Sequence, residues 1–124
     1  MATKKVTAPP EKVLLYERLL QSVGVDARSN FGSAYTAVNR NMYTMISKHG
    51  VVGIRLPEPE RTAFLKHYST ALFRGDPAWP PAKEFVAVPD DLLADTDSLR
   101  QYLELSLRYV QTLKPKPAKK KQVG

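Results

Sequence analysis

The stretch from Arg28 to Leu56 constrains the fold most, because it holds strand-like runs joined by very short turns. Phe31, Ser33, Tyr35 and Ala37 alternate with Asn30, Gly32, Ala34, Thr36 and Val38, the period-two pattern of a strand. Asn39-Arg40-Asn41 has turn chemistry. Met42–Ile46 is a second strand, and Lys48-His49-Gly50 a second turn. Val52, Ile54 and Leu56 then share one face of a third strand, with Val51, Gly53 and Arg55 on the other. A parallel pair needs a crossover of about a dozen residues or more. These turns are far shorter, so residues 28–56 are expected to form a three-stranded antiparallel meander.

Helical signals flank the meander. Pro9-Pro10-Glu11 places proline where a helix loses no hydrogen bond, and an acid at the positive end of the helix dipole. The spacing predicts a helix over 9–22, with Val13, Tyr16, Leu20 and Val23 inward and Gly24 as its cap. Pro57-Glu58-Pro59-Glu60 stops the third strand and opens a helix over 58–67, with Ala63, Phe64 and His67 on its inward stripe. Thr70–Phe73 reads as a fourth strand and Lys83–Val88 as a fifth paired with it, across the rigid loop Gly75–Pro81. Pro89-Asp90-Asp91 starts a helical turn through Leu93, and Asp95-Thr96-Asp97 caps a last helix over 97–113. Leu99, Tyr102, Leu103, Ser106, Val110 and Leu113 lie on one side of that helix. The expected class is α+β, in the order α-β3-α-β2-α, an antiparallel sheet with helices packed mainly on one face. The 124 residues suffice for one core. A single domain over 9–113 is expected, between a flexible N-terminus, 1–8, and a disordered basic tail, 114–124.

Several chemistries have no support. Cysteine is absent, which excludes disulfides and thiol or thiolate sites. His49 and His67 fall in no ligand spacing and read as solvated surface histidines. No metal site and no cofactor is expected. The acids at Asp90/Asp91 and Asp95/Asp97 suit helix starts better than acid-base work. Ser33, Ser47 and Ser106 lack a nucleophile-elbow context, and the glycines form no phosphate loop. No enzymatic activity is expected. With no apolar span and no secretory signal in the sequence, the expected compartment is the cytoplasm and no membrane partner is expected.

The net charge of +7 is unevenly placed. Lys4 and Lys5, with Lys114, Lys116, Lys119, Lys120 and Lys121, account for all of it, so residues 9–113 are balanced.

Particular stretches resemble the TfoX/Sxy N-terminal domain-like family. Phe31-Gly32-Ser33-Ala34-Tyr35 resembles the Met-Phe-Gly-Gly-x-x-Tyr segment of its first strand, with serine replacing the second glycine. Gly50–Leu56 is similar to its third strand, which ends in an apolar-Arg-apolar triplet. Val88–Leu93 followed by Asp97-Ser98-Leu99 resembles its junction into the last helix. Ser106–Pro117 resembles the ending Ser-Leu-x-Tyr-Val-x-x-Leu-Lys-Pro-Lys-Pro of a subgroup of small bacterial proteins. The resemblance covers roughly residues 9–117 and implies the same α-β3-α-β2-α order. Full-length TfoX proteins regulate natural competence and carry a second domain, which is not expected within these 124 residues. The family implies a regulatory rather than a catalytic role, and supplies no catalytic residues.

Two functional expectations follow. In the first, the chain is a non-catalytic regulatory or protein-interaction domain, free to form a homodimer through a sheet edge or helix faces. Arg28, Tyr35, Arg40, Tyr43, Arg55 and Trp79 combine aromatics with guanidinium groups, the favoured anchors of interfaces. Gly32 and Gly53 fit a close approach to the sheet, by a partner or through sharp twist. Read singly, Tyr35 and Tyr43 are ordinary strand residues, and Trp79 plugs the end of the core beneath its prolines. In the second, Lys114, Lys116, Lys119, Lys120 and Lys121 bind nucleic acid weakly and without sequence preference. The alternative for that tail is a solubilising extension.

Overall fold

The computed structural model describes residues 8–30, 33–76 and 78–114. In chain order the elements are α1 (Pro10–Gln21), β1 (Arg28–Asn30), β2 (Ser33–Val38), β3 (Asn41–Ile46), β4 (Val52–Arg55), α2 (Glu58–His67), β5 (Phe85–Val88), α3 (Asp90–Leu93) and α4 (Thr96–Gln111). The fold is α+β. Its sheet runs β1-β2-β3-β4-β5 in sequence order, every neighbouring pair antiparallel.

Two elements differ from expectation, so the order α-β3-α-β2-α is corrected. First, the alternation through 30–38 conceals a hairpin: Arg28 pairs with Tyr35 and Asn30 with Ser33. The meander therefore has four strands, β1 to β4. Second, Thr70–Phe73 contributes a single bridge, Leu72 to Val86, rather than a strand. Ser69 precedes it with a left-handed φ of 51°, and the Thr70 hydroxyl donates to the Ala87 carbonyl at 2.8 Å. Phe73 and Ala87 still donate backbone hydrogen bonds to Phe85 and Ala71 respectively, so this segment shields the β5 edge without extending the ladder. The other exposed edge is β1, only three residues long, a length that limits edge-to-edge pairing.

Val38 pairs with Asn41 across a two-residue turn. Both turn residues, Asn39 and Arg40, have positive φ, 52° and 67°. This is the handedness that matches strand twist in tight hairpins. On β3 the register slips: Thr36 faces Thr44, but Ala37 faces Met42. Tyr43 is the extra residue of a β-bulge, and Tyr43 and Thr44 are consequently both buried although adjacent.

The helices cover one face of the sheet. Tyr16, Leu19 and Leu20 of α1, Phe64 of α2, Leu92 and Leu93 of α3, and Leu99, Leu103 and Val110 of α4 form one core with Ile46, Val52, Ile54, Val86 and Val88. Each large side chain so buried contributes roughly 1.5–3 kcal/mol. Asp95 caps α4, accepting from the Ser98 amide and hydroxyl. On α2, Phe64 is buried, whereas Ala63 and His67 are exposed. The inward pair is Phe64 with Tyr68, one turn on, whose ring centroid lies 4.7 Å away.

Within this apolar layer lies a chain of hydroxyls. The Tyr16 and Thr36 hydroxyls both bond to the Thr44 hydroxyl, at 2.8 and 2.7 Å. Burial pushes the Tyr16 phenol far above its ordinary range. The domain also reaches past both expected boundaries. Ala8 is buried, and buried Asn41 donates from Nδ2 to the Lys114 carbonyl at 3.0 Å. Among the described residues, no helix is long and apolar enough to cross a membrane.

Candidate binding cleft

Among the described residues, the opposite face of the sheet carries no helix. Strand register places Arg28, Tyr35, Met45, Gly53 and Ala87 in one row across it, with Ala37 and Met42 in the next. What covers this face is the segment after α2. Phe73 lies flat against Gly53, so closely that a β-carbon there would sit 2.6 Å from the ring. Phe73 is 1% exposed yet stands apart from the helix-side core. The close approach suggested by Gly53 is thus made by the protein's own Phe73. Gly32 lies outside the described residues.

Beyond Phe73 the loop stands away from the sheet and is stitched to itself. The Ala82 amide donates to the Phe73 carbonyl at 2.8 Å, closing its base. The Trp79 amide donates to the Asp76 carbonyl, and the Ala78 amide to Asp76 Oδ1, both at 2.9 Å. The Arg74 guanidinium donates to the Trp79 carbonyl. The Trp79 ring lies over Gly75, where a β-carbon would meet it at 2.9 Å. Lys48, in the β3–β4 turn, reaches Asp76 at 3.6 Å and ties the loop to the sheet. The Ala78 amide, with Lys48 beside it, holds the Asp76 carboxyl below the usual carboxylate range.

Between loop and strands lies a cleft of about 660 Å³, within the size range of small-molecule sites. Its surface is mainly apolar, supplied by Tyr35, Met42, Met45, Phe73 and Trp79. Arg28, Arg40 and Lys48 supply positive charge, and Asp76 is the single acid among the lining residues described. Lys48 is engaged with Asp76. Among the described residues, no carboxylate lies within ion-pair distance of Arg28 or Arg40.

Four of the six residues singled out in the sequence, Arg28, Tyr35, Arg40 and Trp79, line this cleft. Trp79 is 60% exposed and does not plug the core. Tyr43 does not join them: it is buried on the helix side, beside the bulge. Nor does Arg55. Its Nε donates to Glu84 at 2.7 Å and its Nη1 to the Met42 carbonyl at 3.3 Å, with the guanidinium 5.9 Å from the centre of the Tyr109 ring. Burial pushes the Glu84 carboxyl up, but Arg55, the Tyr109 hydroxyl and Arg61 outweigh it and hold the group below its ordinary value. Arg55 thus acts as a clamp between β4 and α4. Of the basic tail, Lys114 is exposed at its first position; Lys116, Lys119, Lys120 and Lys121 lie outside the described residues.

The cleft also uses Met42, Met45, Lys48, Phe73 and Asp76, which sequence reasoning left out. Gly53 was their one signal, since a glycine on an otherwise apolar strand marks something lying against it. Among the described residues, no three His, Asp or Glu side chains gather as metal ligands. His49 and His67 are both exposed. Comparison with models of known protein families finds none that matches the chain. Comparison with curated proteins finds no match either.

Proposed function

We propose that the chain is a non-catalytic regulatory or protein-interaction domain, of the kind its resemblance to the TfoX N-terminal domain implies, and that the helix-free face is its recognition surface. The observation that carries this reading is the apolar cleft walled by the Phe73–Trp79 loop. It combines the exposed Trp79 and the half-buried Tyr35, Met42 and Met45 with guanidinium groups, the composition of binding surfaces. The best-placed polar groups elsewhere have structural work: Glu84 holds Arg55, Asp95 caps α4, and the Tyr16 hydroxyl is spent on Thr44.

The test is partner capture in the cytoplasmic extract of a source cell by three baits: the full chain, a chain ending at Lys114, and Met45→Glu, which puts a charge on the cleft floor. The expected outcome is that the first two retain the same partner and Met45→Glu loses it at unchanged melting temperature. Retention by Met45→Glu, or capture that depends wholly on residues 115–124, overturns the proposal. The cut follows Lys114 because its carbonyl is bonded to Asn41. Sedimentation of the same proteins reports whether the partner is a second copy.

A second reading, weak binding of nucleic acid through the lysine tail, rests on the excess charge lying at the chain ends. It requires salt-sensitive binding to a generic duplex that disappears when residues 115–124 are removed.

A further inference from the structure

We propose that the cleft is a site for a small amphipathic carboxylate, an anion with an elongated apolar body. This deepens the regulatory reading and rests on it: the ligand would be the signal to which the domain responds. Three observations converge. The cleft is of small-molecule size, about 660 Å³. Its floor follows β3, where Met42 and Met45 project on the helix-free side between Arg40 in one turn and Lys48 in the next. A strand of this length extends for roughly 20 Å, so the floor suits a long, narrow body, and methionine conforms to such bodies readily. The charge is one-sided. Asp76 is answered by Lys48, which, among the described residues, leaves Arg28 and Arg40 as the guanidiniums of the lining with no carboxylate in ion-pair distance. A guanidinium suits a carboxylate in particular, because its planar fork donates two parallel hydrogen bonds.

Trp79 supplies the readout. It is the one tryptophan of the chain, it is 60% exposed, and it lines the cleft. An apolar body that enters beside the indole displaces water from it and shifts its emission to shorter wavelength. The full chain is titrated with dodecanoate below its micellar range, with dodecylammonium and dodecanol as the cationic and neutral counterparts. Calorimetry accompanies the fluorescence, so that binding which leaves the indole unaltered is still seen. The expected result is a saturable blue shift with dodecanoate. Affinity should fall at least about tenfold for dodecanol, for dodecylammonium and for the Arg28→Gln/Arg40→Gln double variant, since each removes at least one charge-assisted hydrogen bond. Both arginines are exposed, and the melting temperature of the double variant checks its fold. No saturable binding of dodecanoate, equal binding of the ammonium compound, or full affinity in the double variant each overturns the proposal. Failure here is separable from failure of the regulatory reading. If dodecanoate does not bind but Met45→Glu still loses the protein partner, the ligand class is wrong and the recognition surface stands. If dodecanoate binds and Met45→Glu keeps its partner, the ligand site stands and the recognition surface is wrong.

Discussion

The two faces of one sheet are finished in different ways. On the helix side, α1, α2 and α4 close over β2–β5 with aliphatic side chains, and the Tyr16, Thr36 and Thr44 hydroxyls among them are bonded to each other. On the other side a single loop leans on one ring, Phe73, set against one glycine, Gly53. Between the helices and the sheet the space is filled by packed side chains. Covering the other face with a loop leaves a cleft, and places cations at its margin without having to bury them. The core thus holds the sheet, and the sheet in turn serves as the floor of the loop-walled cleft.

That contrast can be broken at either face. The largest effect is expected in the helix-side core. Leu103→Ala should destabilise the fold by about 2–5 kcal/mol in urea unfolding and, at temperatures where the variant remains folded, leave the emission of Trp79 as it is. Next comes the junction of loop and sheet. Gly53→Ala forces the Phe73 ring outward, at about 1–3 kcal/mol. Unlike the core variant, it should change Trp79 emission, because the loop moves with Phe73. A loss of stability with no spectral change would mean that the loop is held by its own hydrogen bonds instead. Thr44→Val keeps the shape of the core but removes the shared partner of Tyr16 and Thr36. About 1–3 kcal/mol is expected from the stranded hydroxyls, and the partial recovery of Tyr16→Phe/Thr44→Val relative to Thr44→Val measures the Tyr16 share.

Smaller still is the Arg55–Glu84 clamp. Because the Glu84 carboxyl lies below its ordinary value in the folded protein, its contribution is present above the unfolded carboxylate range near pH 4.3. That contribution fades as the pH falls through the lower folded value. The pair is partly exposed, so less than about 1 kcal/mol is expected. It appears as a slope in stability between neutral and acid pH that is shallower in Glu84→Gln. The smallest effect is Trp79→Ala, within about 0.5 kcal/mol for an exposed side chain. If it costs as much as a core residue, the loop is part of the fold rather than a surface laid on it.

The helix side was the legible half. Amphipathic spacing placed α1 and α4 within a residue or two, since burial on one stripe leaves a periodic trace. The bounds of α2 followed from its proline and acid start signal, while two of its three expected inward residues, Ala63 and His67, are exposed. What escaped depends on contacts between distant residues. The bulge that buries Tyr43 exists only as a register between β2 and β3. The β1–β2 hairpin hid in a continuous alternation because both of its strands share that period. Thr70–Phe73 has strand composition but makes one bridge, because its position follows from where Phe73 can meet Gly53. For the cleft, residue types that serve interfaces identified four of its members. The rest were out of reach, since Met42, Met45 and Asp76 become neighbours only after the sheet has formed and the loop has folded across it.

Arg40 sits in the turn between β2 and β3 with a backbone that glycine adopts freely and arginine does not. Arg40→Gly should therefore raise the unfolding free energy, by about 1 kcal/mol, while stripping from the cleft a cation that no carboxylate pairs among the described residues. The same substitution is an improvement for folding and, at the proposed anion site, a loss of binding. Any effort to engineer a more robust variant by relaxing strained turns would begin at this position, and would trade away a cation of the proposed site for a sturdier fold.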